Sequence, residues 1–161
     1  MSVVGGSAVT LHAPDTYTSA DIDFVALSGI ERKKIDAALA SLGYARKGRN
    51  YVHSESEWTL DVVGDSAFIG SRSIEEFVTI STQFGNVQVL RVEDALADRI
   101  AHFLHWSDSQ ALSVAEALAR AKADQIDWNA LTKATDSLDA SGPELRQRLD
   151  FALEVIRRAS S

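Results

Sequence analysis

The 161-residue sequence contains no cysteine. A disulfide framework, a thiolate zinc site, an iron–sulfur cluster and a cysteine nucleophile are all excluded, and a reducing compartment is the simplest setting. Proline is scarce, and both prolines sit at helix boundaries: Pro14 closes a short N-terminal helix and Pro143 falls in the first turn of the last one. No apolar run approaches the roughly 18 residues needed to span a membrane. The Met1–Gly6 start has neither the basic region nor the apolar stretch of a signal peptide. A cytoplasmic protein with no membrane association is expected. Basic residues are outnumbered, 16 against 23 acidic ones, and the net charge of −7 argues against wholesale coating of nucleic acid. The charge is uneven, however. Between Glu31 and Arg49 stand six basic residues (Arg32, Lys33, Lys34, Arg46, Lys47, Arg49) and two acidic ones. That local excess reads either as a solvated helix face followed by a charged hairpin or as a landing surface for a polyanion such as RNA or a nucleoside triphosphate.

What is present is the material of one packed unit, with 45% apolar residues. Residues 1–90 read as mixed α and β. Val3-Val4 is a short apolar run ending at Gly5-Gly6, and a short helix covers Ser7–His12. Asp21–Val25 alternates as a half-buried strand does. Ile35, Ala38, Leu39 and Leu42 recur at helical spacing over Glu31–Leu42, with Gly43 as terminator. Strands are expected at Tyr44–Arg46, Asn50–His53, Trp58–Val63, Val78–Ser81 and Val87–Leu90. From Val92 the period becomes 3.6, with Leu96, Ile100, Phe103 and Leu104 in one helix and Ala111, Leu112, Ala115, Leu118 and Ala119 in the next. Asp127 caps a third helix, and Ser141-Gly-Pro-Glu144 reads as a capping box opening a last one whose inner face is Leu145, Leu149, Ala152 and Ile156. The expected class is α+β. A mixed sheet flanked by helices on one face is followed by a helical bundle over 91–161, packed on the core as one compact unit.

Three features stand in order: Gly5-Gly6-Ser7, Asp21-Ile22-Asp23 and Leu60-Asp61-Val62. Residues i and i+2 of a strand share a face, so Asp21 and Asp23 project together while Ile22 anchors the core. Paired carboxylates repel unless a cation lies between them. Asp61 interrupts an apolar strand, where a charge is locally unfavourable. Brought beside the first pair, it completes an oxygen site for Mg²⁺ or Mn²⁺. Gly5-Gly6-Ser7 at a strand-to-helix junction offers backbone N–H groups and a hydroxyl to a phosphate. Metal and phosphate sites together point to phosphoryl or nucleotidyl transfer.

These motifs resemble the nucleotidyltransferase superfamily, which includes DNA polymerase β and the minimal bacterial nucleotidyltransferases. More narrowly, Val4–Ala8, Tyr17–Phe24 and Val92–Arg99 through His105–Gln110 are similar to small proteins related to the AbiEii toxin group. The resemblance implies a nucleotidyltransferase fold. It implies that Gly5, Gly6 and Ser7 hold the β- and γ-phosphates of a nucleoside triphosphate and that Asp21 and Asp23 ligate both metals. Asp61 would hold the second metal and help deprotonate an acceptor hydroxyl. The toxin group also carries a basic residue that touches the triphosphate, followed by a further Asp; Arg99 and Asp108 are the matching positions, although the toxins generally have Lys at the first. The implied reaction moves an NMP unit onto RNA (such as tRNA) or protein, with release of pyrophosphate, in a toxin–antitoxin or defence module. The alternative is a catalytically silent fold acting as a nucleotide- or RNA-binding or regulatory partner. Members of this group usually carry a helix before the first strand. Here the strand begins essentially at Met1, so either the start codon is internal to the natural gene or an element covering one flank of the sheet is lost; an exposed flank would favour a homodimer or a partner protein.

Asp98, His102 and His105 share a helical face. They form either a metal site or, as the more ordinary reading, an ion-paired aspartate with histidines bordering a cleft or the surface. Trp106 and Trp128 read as core or helix-packing residues. Tyr17, in the loop before Asp21, either stacks on a nucleobase or packs against the sheet.

Overall fold

A mixed seven-stranded sheet and six α-helices make up the chain in the computed structural model, which describes residues 1–26 and 29–161. The strands are β1 (Ser2–Val3), β2 (Asp21–Val25), β3 (Tyr44–Lys47), β4 (Asn50–His53), β5 (Thr59–Gly64), β6 (Ala67–Ile69), β7 (Arg72–Ile74), β8 (Phe77–Thr82) and β9 (Gly85–Leu90). The helices are α1 (Gly5–His12), α2 (Arg32–Ser41), α3 (Val92–Trp106), α4 (Ser109–Ala121), α5 (Trp128–Asp136) and α6 (Pro143–Ala159). In space the sheet runs β3-β4-β5-β2-β1-β9-β8, with β6 and β7 forming a separate hairpin. β2 lies parallel to β5 and antiparallel to β1, and β1 lies parallel to β9. Among the described residues no helix is long and apolar enough to cross a membrane.

Alternation on β2 and β5 divides the sheet into two faces. Ile22, Phe24, Leu60 and Val62 pack with Ile35 and Leu39 of α2 and with Tyr51 in one apolar cluster. Phe24 pairs with Val3 and Val3 with Val89, so the same face continues into the larger cluster. That cluster gathers Val9, Leu96, Ile100, Leu104, Leu118, Leu131 and Ile156 from five helices. Asp21, Asp23, Asp61 and Val63 alternate onto the opposite face.

Local signals predict most boundaries to within two residues. Asp127 caps α5, its Oδ1 accepting the N–H of Asn129 at 2.9 Å and of Ala130 at 3.1 Å. Gly43 ends α2 at φ +86°, and a Cβ there would lie 2.4 Å from His53 Nε2. Three expectations are corrected and one element is added. Only Ile35 and Leu39 of α2 are buried, whereas Ala38 and Leu42 face solvent because the sheet covers a narrow stripe of that helix. The capping box at 141–144 does not form: Gly142 takes the cap position with φ +94°, and the Ser141 hydroxyl turns to Asp139 instead. Trp106 is 69% exposed, since α3 runs past its last buried turn at Leu104, while Trp128 packs against the core with the Arg157 guanidinium over its ring. The β6–β7 hairpin has three-residue strands, too short to display a period, yet it buries Ala67, Ile69 and Ile74.

Candidate functional site

Parallel pairing of β2 with β5 sets Asp23 directly opposite Asp61, and Asp21 stands two residues earlier on the same face. Leu60 and Val62 hold Asp61 in place from behind by packing under α2. Asp61 is only 7% exposed. Its Oδ2 accepts from Arg49 Nη2 at 3.3 Å, and its buried Oδ1 has no hydrogen-bond partner among the described residues. Asp23 is pushed up to about 6, chiefly by burial and then by the charges of Asp21 and Asp61, with Arg99 opposing. Asp21 Oδ1 accepts from the Ser19 hydroxyl at 3.2 Å.

The N-terminus of α1 meets this acidic face. β1 ends at Val3, the Val4 N–H donates to the Asp23 carbonyl at 2.9 Å, and Gly5 turns the chain at φ +60°. A Cβ on Gly5 would lie 2.7 Å from Asp23 Oδ2. The helix thus presents its positive end to the carboxylates at a separation that no side chain fits. Where β1 stops, the Ser7 hydroxyl takes over its pairing with β2, donating to the Asp21 carbonyl at 2.9 Å and accepting the Asp23 N–H at 3.0 Å. Ser7 is buried. This corrects the expectation that its hydroxyl faces a phosphate, because the hydroxyl is used to hold the Asp21-X-Asp23 strand against α1. Ser7→Ala is expected to cost about 1–3 kcal/mol, since it leaves two half-buried backbone groups of β2 without this partner. Urea unfolding would measure it, and an unchanged midpoint would rule this role out.

A cleft of about 440 Å³ opens in front of Asp21 and Asp23. Gly5, Gly6, Tyr17 and Ser19 line one side, and Asp98, Arg99 and His102 of α3 the other. Val63 and Phe68, 50% and 61% exposed, form an apolar wall. A Cβ on Gly6 would lie 3.1 Å from the Tyr17 hydroxyl, so Tyr17 stands over the α1 N-terminus. Tyr17 also packs on the larger core, so it both packs and lines the cleft. Asp61 is not part of the cleft wall and reaches it only through its neighbour Asp23.

Arg99 is a cleft residue, forked onto Asp98 Oδ2 by Nε at 3.1 Å and Nη2 at 2.5 Å. Asp108 is not in the wall. It caps α4, accepting the Ala111 N–H at 3.0 Å after Ser107 turns the chain at φ +54°, and from there its charge still acts on His102 in the cleft. Of the α3 acid–histidine face, Asp98 and His102 line the cleft, while His105 is exposed beside Trp106. His102 is held below its usual value by burial first and by Arg99 second. Asp98 takes the ion-paired alternative, on Arg99. Sequence reasoning misses Ser19, Val63 and Phe68 in the cleft wall, because nothing local marks them.

Among the described residues, no three carboxylate or imidazole groups already converge as a closed ligand set. The donors nonetheless suit a hard divalent cation. They are all oxygens, Asp61 Oδ1 is buried without a partner among the described residues, and Asp23 is a disfavoured anion that a cation would relieve. The sign of the pH dependence follows. Asp23 binds its proton more tightly when folded (about 6) than at its ordinary value of 3.8. Stability without metal therefore falls as pH rises through that window, by about 1–2 kcal/mol after allowance for solvent screening. Thermal midpoints in chelator at pH 4.5 and 7.5 would test this, provided other groups are held constant by comparison with Asp23→Asn. An identical pH slope in the variant would exclude Asp23 as the cause. The chain matches no protein-family model, no curated protein and no solved structure.

Proposed function

We propose that the chain is a metal-dependent nucleotidyltransferase that transfers an NMP unit from a nucleoside triphosphate to an RNA or protein acceptor. One observation carries this reading: the β2–β5 register that aligns Asp23 with Asp61, and Asp21 beside them, at the N-terminus of α1. Asp21, Asp23 and Asp61 would hold Mg²⁺ or Mn²⁺, which when bound supplies charge neutralisation and Lewis acidity at phosphate oxygens. Gly5 and Gly6 line the cleft where α1 opens, and the N–H groups of a helix start suit the triphosphate tail. Arg99, nearly buried and held by Asp98, offers a fixed positive charge across from them. Tyr17 and the Val63–Phe68 wall leave an apolar surface for a base or sugar.

The Arg49–Asp61 contact supports a second reading, in which an arginine fills the cation's place and the fold serves as a nucleotide- or RNA-binding or regulatory partner. Two measurements separate them. Calorimetry with Mn²⁺ and a non-hydrolysable nucleoside triphosphate is expected to show metal-dependent binding that Asp21→Asn/Asp23→Asn removes. Incubation with each α-labelled nucleoside triphosphate and total tRNA or cell extract is expected to label an acceptor. Binding equal to wild type in the double variant would sink both readings of the site, and binding without labelling would leave the second.

A further inference from the structure

The two edges of the sheet are built differently. β3 forms one edge, and its four residues include Arg46 and Lys47, both exposed. Charges of one sign along an edge block its pairing with another strand. β8 forms the other edge, six residues reading Phe-Val-Thr-Ile-Ser-Thr, about 20 Å of backbone with no charge, no proline and no bulge against β9. The whole β8–β9 hairpin, Phe77 to Leu90, is uncharged in a chain that is 24% charged. The other uncharged stretch of that length, Met1–Pro14, forms β1 and α1, largely inside the protein. Burial does not explain the hairpin. Val78, Thr79, Ser81 and Thr82 are exposed, and Phe84 at its tip is 91% exposed. As an edge strand, β8 turns N–H and C=O groups of alternate residues outward without a sheet partner.

We propose that β8 is the docking edge for a second copy of this chain, the two β8 strands pairing antiparallel about a twofold axis to make one continuous sheet. Charge selects this occupant. Each copy carries −7, so two copies approach most favourably where neither presents charge, and the β8 edge is such a place. Closure selects it as well. With β3 blocked, β8 pairs only with another β8, which is an isologous contact that ends at a dimer and does not propagate into a filament. Phe84 of each copy then lies beyond the end of its own β8, beside the segment that leads into the other's. β1 lies inside the sheet between β2 and β9, so the open edge is not at the N-terminal strand. Two strands separate β8 from β2, which leaves the carboxylate cleft uncovered, and the inference does not depend on the function proposed for that cleft.

Sedimentation velocity of the full chain, from low micromolar to several hundred micromolar, tests it. A monomer–dimer equilibrium is expected, with hydrogen exchange of the β8 amides slowing as concentration rises. Val78→Lys places a charge on the edge and is expected to weaken the dimer at least about tenfold. Phe84→Ser, at an exposed turn where folding is not at stake, is expected to weaken it in the same direction. Arg46→Ser on the opposite edge is expected to leave it unchanged. A monomer at every concentration overturns the proposal, as does a dimer that survives both Val78→Lys and Phe84→Ser in variants whose circular dichroism is native.

Discussion

Replacing Asp23 with Asn is expected to lower Mn²⁺-dependent nucleotide binding by more than about 100-fold, because changing even a residue that only hydrogen-bonds to a metal ligand costs about 10–100-fold in metal affinity. The same change is expected to make the metal-free protein more stable at neutral pH, by about 1–2 kcal/mol after discounting for solvent. The two effects have one cause. Asp23 lies between Asp21 and Asp61, half-buried, and its charge is held against burial and against both neighbours. Removing that charge relieves the repulsion and takes away the donor that a cation would need. The amide keeps the size and shape of the carboxylate, so the Gly5 contact survives. Paired urea titrations with and without Mn²⁺, alongside calorimetry, read both signs. Loss of binding with loss of stability would mean that Asp23 is a structural residue, and unchanged binding would place the metal elsewhere.

Gly5→Ala is expected to have the second largest effect. A non-glycine residue at φ +60° costs about 1–2 kcal/mol, and the added Cβ would stand 2.7 Å from Asp23 Oδ2, so the carboxylate must move. A total loss of about 2–3 kcal/mol is expected, together with weaker metal–nucleotide binding. A double-mutant cycle separates the two contributions. With Asp23→Ala in place the clash partner is gone, and Gly5→Ala should then cost only its backbone term. Equal costs in both backgrounds would mean that α1 does not bear on Asp23.

Asp21 and Asp23 were legible as a pair because strand geometry alone puts i and i+2 on one face. The helical faces of α4 and α6 were legible for the same kind of reason, as was the Asp127 cap. Other positions carried an ambiguous local signal. Asp108 followed by Ser-Gln-Ala is as good a helix cap as a cleft residue, and the backbone of α4 claims it. Ser7 beside two glycines suits a phosphate, but it stands where β1 ends and an unpaired β2 backbone needs a partner. Trp106 continues an apolar-looking helix beyond the point where anything covers it.

The sequence by itself determined the α+β class, the order of elements apart from the short β6–β7 hairpin, and the presence of acidic pairs and glycine turns, since these follow from covalent geometry and from burial repeating every two or 3.6 residues. Tertiary structure alone decided the rest. The register of β2 on β5 brought Asp61 opposite Asp23, the approach of α3 added Asp98 and His102 to the cleft, and the strand order left uncharged β8 at an edge while enclosing β1. Each of these is a pairing between segments distant in the chain, chosen by the burial of whole faces against one another, and no local period encodes it.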